Sequence, residues 1–104
     1  MAVSALDTVE GTVNGVLHFH YDLCGDVLYL RLADTLGADS YSEETPEGFI
    51  LVRDMATDAP VGITVIGYWK RFGDERPLAD ISLSELDARV SRSAEEIAGA
   101  LRAA

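Results

Sequence analysis

The stretch that decides the fold covers residues 16–32 and reads Val16-Leu-His-Phe-His-Tyr-Asp-Leu-Cys-Gly-Asp-Val-Leu-Tyr-Leu-Arg-Leu32. Apolar and polar side chains alternate in it twice, once before and once after the segment Asp22-Leu-Cys-Gly25. A period of two residues indicates a β-strand, because successive side chains of a strand point to opposite faces of the sheet. Asp22 favours a turn through its carboxylate, and Gly25 favours one through its freedom to adopt positive φ. The stretch therefore predicts a β-hairpin of two antiparallel neighbours.

Outside this hairpin, the sequence predicts two further strands, at residues 48–53 and 61–68. The polar connection that follows the hairpin contains a candidate edge strand at residues 39–43. A parallel crossover needs a dozen or more connecting residues, usually in a helix, and the connections here leave no room for one. The pattern therefore favours an antiparallel meander.

A helix is predicted in the C-terminal part of the chain. Ser82 and Glu85 have the spacing of a capping box, and Ile81 and Leu86 occupy the positions of a hydrophobic staple. Apolar residues then recur at three- and four-residue steps, at Leu83, Leu86, Val90, Ala94, Ile97 and Leu101. One amphipathic helix to about residue 102 accounts for this stripe.

This helix has one alternative, because Ser93 and Glu96 form a second capping box that would divide it into two short helices near residues 91–93. We favour a single helix packed across one face of the sheet, since a sheet must bury its apolar face against another element. The predicted fold class is therefore α+β, a four- or five-stranded antiparallel meander with one C-terminal amphipathic helix. Residues 1–15 are expected to form a loose N-terminal leader, with a short strand near Thr12-Val13 as an alternative within it, and residues 16–104 a single domain.

The chain of 104 residues has a net charge of −10, which is unevenly distributed. Residues 1–69 hold 11 acidic side chains against Arg31 and Arg53, whereas residues 70–104 hold 7 acidic and 6 basic side chains. Binding to nucleic acid or to an anionic membrane surface requires clusters of Lys and Arg, so the charge argues against both. A protein partner, a second copy of the chain or a small-molecule ligand remains compatible with it.

The cysteine content bears on the compartment. Cys24 is the single cysteine, so no intramolecular disulfide can form, which fits a reducing cytoplasm. The first residues, Met1-Ala-Val-Ser, lack the basic and apolar regions of a secretory signal. The longest apolar stretch, residues 61–68, is too short to span a bilayer. We expect a cytoplasmic protein.

The first candidate site is a pair of histidines. His18 and His20 face the same way on the first predicted strand, and Asp22 follows on that face. Alternate side chains of a strand can converge on one Zn or Fe ion, so these three residues are candidate metal ligands. The alternative is a polar, solvated face of the sheet, which we favour.

The second candidate site is the segment Tyr68-Trp-Lys-Arg-Phe72, which joins aromatic rings to two cations. Aromatic side chains anchor many interfaces, so Tyr68, Trp69, Lys70 and Phe72 are a candidate binding surface. The alternative is that these rings pack beneath the C-terminal helix. Apolar helix positions near its end, at Ile97 and Leu101, could in addition pair with a second copy in a homodimer.

Other features argue against catalysis. Cys24 lies in a short turn without a helix N-terminus, and the acidic run at residues 43–47 resembles a solvated loop. The sequence contains no phosphate-binding glycine loop, no Gly-x-Ser-x-Gly and no His-Glu-x-x-His. No cofactor is expected.

The chain also resembles a family of small bacterial proteins, domain of unknown function 2283, over about residues 19–68. The resemblance rests on Tyr21, Asp22, Asp26, Leu28, Tyr29 and Arg31 around the hairpin, on Glu43-Glu44 before Gly48-Phe-Ile-Leu-Val, and on Val61-Gly-Ile-Thr-Val-Ile. Thr64 stands where the family often has an acidic residue. The resemblance implies the meander fold and supplies no activity.

These observations lead to two hypotheses about function. The first is a small, non-catalytic interaction or regulatory module that binds a protein partner or itself. The second is a small metal- or ligand-binding enzyme centred on His18 and His20.

Overall fold

The structure, a computed structural model, describes residues 8–103. It contains six strands and two α-helices, in the order β1 (Thr8–Val13), β2 (Leu17–Asp22), β3 (Val27–Leu32), β4 (Ser40–Glu44), β5 (Ile50–Asp54), β6 (Pro60–Ile66), α1 (Tyr68–Phe72) and α2 (Leu83–Ala103). Single 3₁₀ turns lie at Ala33–Thr35 and Leu78–Asp80.

The strands form one antiparallel sheet in the order β1-β2-β3-β6-β5-β4. The predicted α+β class, with an antiparallel meander and one C-terminal helix, is thereby confirmed, although the sheet has six strands rather than four or five. The order also shows two three-stranded meanders, β1–β3 and β4–β6, that join where β3 pairs with β6. After β3 the chain crosses to the far edge of the sheet before it returns.

The prediction of a loose leader over residues 1–15 is wrong for residues 8–13, which form the edge strand β1; residues 1–7 lie outside the described part. Val9 and Val13 of β1 are buried opposite Tyr21 and Leu17 of β2. Gly11 interrupts the apolar pattern for a steric reason, because a Cβ at this position would lie 2.9 Å from the ring of Phe19.

The turn that joins β1 to β2 contains a sequence signal that indicates a hairpin, and therefore a strand at β1. Asn14 and Gly15 both have positive φ, 54° and 67°. An Asn-Gly pair with this conformation is the strongest short-range sequence signal for a β-hairpin.

The connection from β3 to β4 is held by one side chain. The guanidinium of Arg31 donates hydrogen bonds to the carbonyl oxygens of Thr35 and Ala38, at 2.8 and 3.0 Å, and to the hydroxyl of Ser40. The stem of Arg31 lies over Gly62 of β6, where a Cβ would approach the carbonyl oxygen of Leu30 to 2.5 Å. Arg31 thus fixes the crossover that creates the strand order.

The hydrophobic core lies between the sheet and α2. The helix α2 is continuous, so the alternative of two short helices is wrong. The hydroxyl of Ser82 accepts a hydrogen bond from the amide of Glu85, as the capping box predicts. The helix packs mainly on β1 and β2. The largest fully buried side chains are Tyr21, Tyr68, Leu17, Leu28, Ile81, Leu86, Val65 and Val90.

One helix does not cover the whole sheet. Six strands spaced by about 4.8 Å make a sheet roughly 25 Å wide, whereas a helix is about 10 Å across. Within residues 8–103, no helix has the length and hydrophobicity needed to cross a membrane.

Candidate functional site

The aromatic segment after β6 folds as the short helix α1, because the β2–β3 turn caps it. The backbone carbonyl of Asp26, in the β2–β3 turn, accepts hydrogen bonds from the amides of Gly67 and Tyr68. Its carboxylate accepts further bonds from the amide of Trp69 at 2.7 Å and from the hydroxyl of Tyr21 at 2.6 Å. Carboxylates are favourable at a helix start, since its first amide groups have no partner within the helix. Asp26 therefore fixes where α1 begins and how it is oriented.

Two of the four residues predicted to form a binding surface are inside the molecule. Tyr68 is 1% exposed, and its hydroxyl lies 2.7 Å from the hydroxyl of Ser93 on α2. Trp69 is 8% exposed, and its indole N–H donates to the carbonyl of Arg76 at 2.8 Å. For these two rings the prediction of an exposed surface is wrong, and the alternative of packing beneath the helix is correct.

The other two residues, Lys70 and Phe72, face solvent. Phe72 is 46% exposed although its ring has aromatic neighbours on two sides. It stacks on Phe49, with ring centroids 6.3 Å apart, and tilts against Tyr68 at 5.8 Å. The guanidinium of Arg71 covers the ring of Phe49 at 5.0 Å. Phe72 is therefore an exposed ring held in a fixed position by aromatic and cationic contacts.

A groove of about 490 Å³ lies beside Phe72, between α1 and α2. Its lining combines aromatic, small and charged side chains, namely Tyr68, Phe72, Glu85, Ala88, Arg89, Arg92, Ser93 and Glu96. We call the exposed ring of Phe72, the side chain of Lys70 and this groove the Phe72 surface.

An ion-pair network stiffens the loop between the two helices. Asp74 accepts hydrogen bonds from Arg76 and Arg89 at 2.7 and 2.8 Å, and Glu85 also pairs with both arginines. The hydrogen bonds from Arg76 lower the pKa of Asp74 to about 2 and lower the pKa of Glu85 as well. Arg89 in turn lies over the ring of Trp69, at 5.2 Å.

His18 and His20 lie on the face of the sheet that α2 does not cover. There they lie close to the carboxylate of Glu10, which was not among the metal ligands predicted from the sequence. His18 Nε2 is 3.6 Å from Glu10 Oε1, and His20 Nδ1 is 3.5 Å from Glu10 Oε2. Asp22, the predicted third ligand, instead accepts a hydrogen bond from the amide of Cys24 in the turn. Glu10 was missed because the short strand considered near Thr12-Val13 did not extend back to residue 10.

Metal ligation finds little support in this arrangement. In the part of the chain that the structure describes, no group of three or more His, Cys, Asp or Glu side chains is arranged to hold a metal ion. Cys24 is exposed and free, and Glu43 of the acidic run pairs with Arg53.

Comparison with known proteins finds no match for this chain among family models, curated proteins or solved structures. The resemblance to domain of unknown function 2283 therefore stays a prediction, and the function must be argued from the geometry.

Proposed function

We propose that this protein is a small, non-catalytic interaction module with a regulatory role, which binds a protein partner through the Phe72 surface. The observation that carries the proposal is the position of Phe72. Its ring is half exposed beside a groove, although Tyr68 and Trp69, the first two residues of α1, are buried. Rigid aromatic side chains of this kind provide much of the binding energy at protein interfaces, because little conformational entropy is lost when they are covered.

The polar groups around Phe72 support binding rather than proton transfer. A general base works best with a pKa near the working pH, and the pKa values of Asp74 and Glu85 are lowered by their arginine partners. Burial raises the pKa of Tyr68, which makes its hydroxyl a weaker acid. These side chains are suited to holding α1 and α2 in place.

The location that fits the proposal is the cytoplasm. The thiol of Cys24 is exposed and free, and reducing compartments keep such thiols reduced. The second hypothesis, a metal-dependent enzyme at His18 and His20, has less support, because Glu10 is the only carboxylate in contact with them among the described residues.

A peptide-display selection tests the proposal. A random peptide library is selected on the wild-type protein, and the enriched peptides are measured against Phe72→Ser. Phe72 is already half buried, so covering the rest of its ring contributes roughly 0.7–1.5 kcal/mol, and we expect Kd to rise about three- to tenfold. The matched control is Met55→Ser, at a side chain that is 65% exposed in the β5–β6 turn, and it should leave Kd unchanged.

Thermal unfolding of both variants must match the wild type, so that a loss of binding reports the surface and not the fold. Enriched peptides that bind Phe72→Ser as tightly as the wild type would contradict the proposal, and so would a selection that enriches none.

A further inference from the structure

The face of the sheet that α2 does not cover carries an apolar patch. The strand register places one row of side chains straight across this helix-free face, in the order Glu10, His20, Tyr29, Thr64, Ile50 and Glu44. Neighbouring rows add Val27, Val52 and Ile66. Tyr29 and Ile66 are 46% and 51% exposed, whereas exposed side chains of an open sheet face are usually polar.

The middle of this face carries the apolar side chains, and one basic side chain, Arg31, lies beside them on β3. The guanidinium of Arg31 is bound to the β3–β4 connection, at the end of the strand. The carboxylates of Glu10 and Glu44 lie on the two edge strands. The patch therefore offers an apolar centre that is bordered by charged side chains, including Asp22 beside Val27, and an interface with a dry core and a polar rim has this kind of composition.

The face also carries both a large exposed side chain and a depression. Tyr29 on β3 is 46% exposed, and a depression of about 250 Å³ lies beside Ile66 and Ile50, on the next two strands β6 and β5. Both features belong to the same surface, as a two-fold symmetric contact requires, because each copy must supply both the protrusion and its receptor.

We propose that a second copy of this chain covers the helix-free face, with the two-fold axis running along β6. Because β3 and β5 flank β6, this axis places Tyr29 of each copy over Ile50 of the other. In the same row, His20 lies opposite Glu44 of the other copy and Thr64 lies near its own equivalent. Sheets that pack face to face keep their strands nearly aligned, as this arrangement does.

The area is sufficient for such a dimer. A face roughly 25 Å wide and 18 Å long has about 450 Å² per copy when taken as flat, and its side chains add to that, so two copies bury on the order of 1,000 Å². This is the lower limit for a specific interface, so we expect a weak dimer with a Kd in the micromolar range.

Sedimentation analysis over a range of protein concentrations tests the proposal. Ile66 lies on the proposed axis, so Ile66→Glu places two like charges together and should raise the dimer Kd at least about tenfold. Met55→Glu is the matched control, because it adds the same charge to an exposed side chain in the β5–β6 turn and should change Kd less than twofold. Ile66→Lys should also weaken the homodimer, and an equimolar mixture of Ile66→Glu and Ile66→Lys should restore dimerisation.

The salt dependence separates this contact from a charge-driven one. Each copy has a net charge of −10, so an apolar contact between two copies should tighten as salt screens their repulsion. A monomer at every concentration would overturn the proposal, as would equal effects of Ile66→Glu and Met55→Glu or a failure of the mixed variants to associate. Phe72→Ser lies on the other side of the sheet and should leave the dimer intact, so either proposal can fail without the other.

Discussion

Replacing Asp26 with alanine should be among the most damaging single substitutions outside the hydrophobic core. The Asp26 carboxylate joins two elements, because it accepts hydrogen bonds from the hydroxyl of Tyr21 on β2 and from the amide of Trp69 in α1. Burial and the bond to Asp26 raise the pKa of Tyr21, so its hydroxyl is protonated and able to donate at neutral pH. Asp26→Ala removes the acceptor from both donors at once.

The expected cost follows from these two bonds. Loss of a helix-capping carboxylate costs about 0.5–2 kcal/mol. Tyr21 is fully buried, and a buried hydroxyl left without a partner costs about 1–3 kcal/mol. We therefore expect Asp26→Ala to lower the free energy of unfolding by about 2–4 kcal/mol, a large part of the roughly 5–15 kcal/mol typical of a domain. Asp26→Asn keeps an acceptor oxygen and should cost about 1 kcal/mol.

Urea unfolding followed by tryptophan fluorescence measures this cost, since Trp69 is the single tryptophan and is buried. A double-mutant cycle with Tyr21→Phe then isolates the Tyr21–Asp26 bond. In the Tyr21→Phe background no hydroxyl is left without a partner, so Asp26→Ala should cost at least about 1 kcal/mol less than in the wild type. Additive effects, or a cost of Asp26→Ala below about 1 kcal/mol, would refute this account of how the turn and α1 are joined.

Two further substitutions test other parts of the structure. Gly62→Ala should destabilise the fold by about 1–3 kcal/mol, because the new Cβ would lie 2.5 Å from the carbonyl oxygen of Leu30, whereas Gly37→Ala, with no atom within 4 Å, should be nearly neutral in the same urea titration. The hydrogen bond from Arg76 lowers the pKa of Asp74 to about 2 in the folded state, whereas an aspartate in the unfolded chain has a pKa of about 3.9. The charged carboxylate therefore stabilises the fold fully at pH values above about 3.9, and this stabilisation is lost as the pH falls towards 2. The melting temperatures of wild type and Asp74→Asn should accordingly converge between pH 5 and pH 2; a constant difference would show that the network does not act through this charge.

The hairpin and the helix could be predicted from sequence because their signals are local. Alternation places Leu17 and Phe19 on the buried face, and the capping box at Ser82 marks the start of α2. The full length of the edge strand β1 was missed because Gly11 breaks the alternation, and the physical cause of that glycine is the ring of Phe19 on the neighbouring strand. The close approach of Phe19 to Gly11 can be recognised only when the pairing of β1 with β2 is known.

The candidate site was harder to predict because burial of its aromatic residues depends on distant contacts. In sequence, Trp69 and Phe72 look alike, as two rings beside cations. Asp26 caps α1 from a turn 43 residues before Trp69, and the resulting orientation buries Trp69 and leaves Phe72 exposed. Similarly, Glu10 reaches the two histidines only because β1 lies beside β2.

The pairing of β3 with β6 also has a consequence for how the chain folds. Each three-stranded half contains only local turns, and such hairpins close within microseconds. The two halves meet where β3 pairs with β6, with Val27 opposite Ile66 and Arg31 opposite Gly62. Forming this pairing closes a large loop, which consists of the chain between β3 and β6, and such a closure costs conformational entropy. We therefore expect the two halves to form early and their docking along this pairing to limit the folding rate, with Arg31 acting at the step when the crossover becomes fixed.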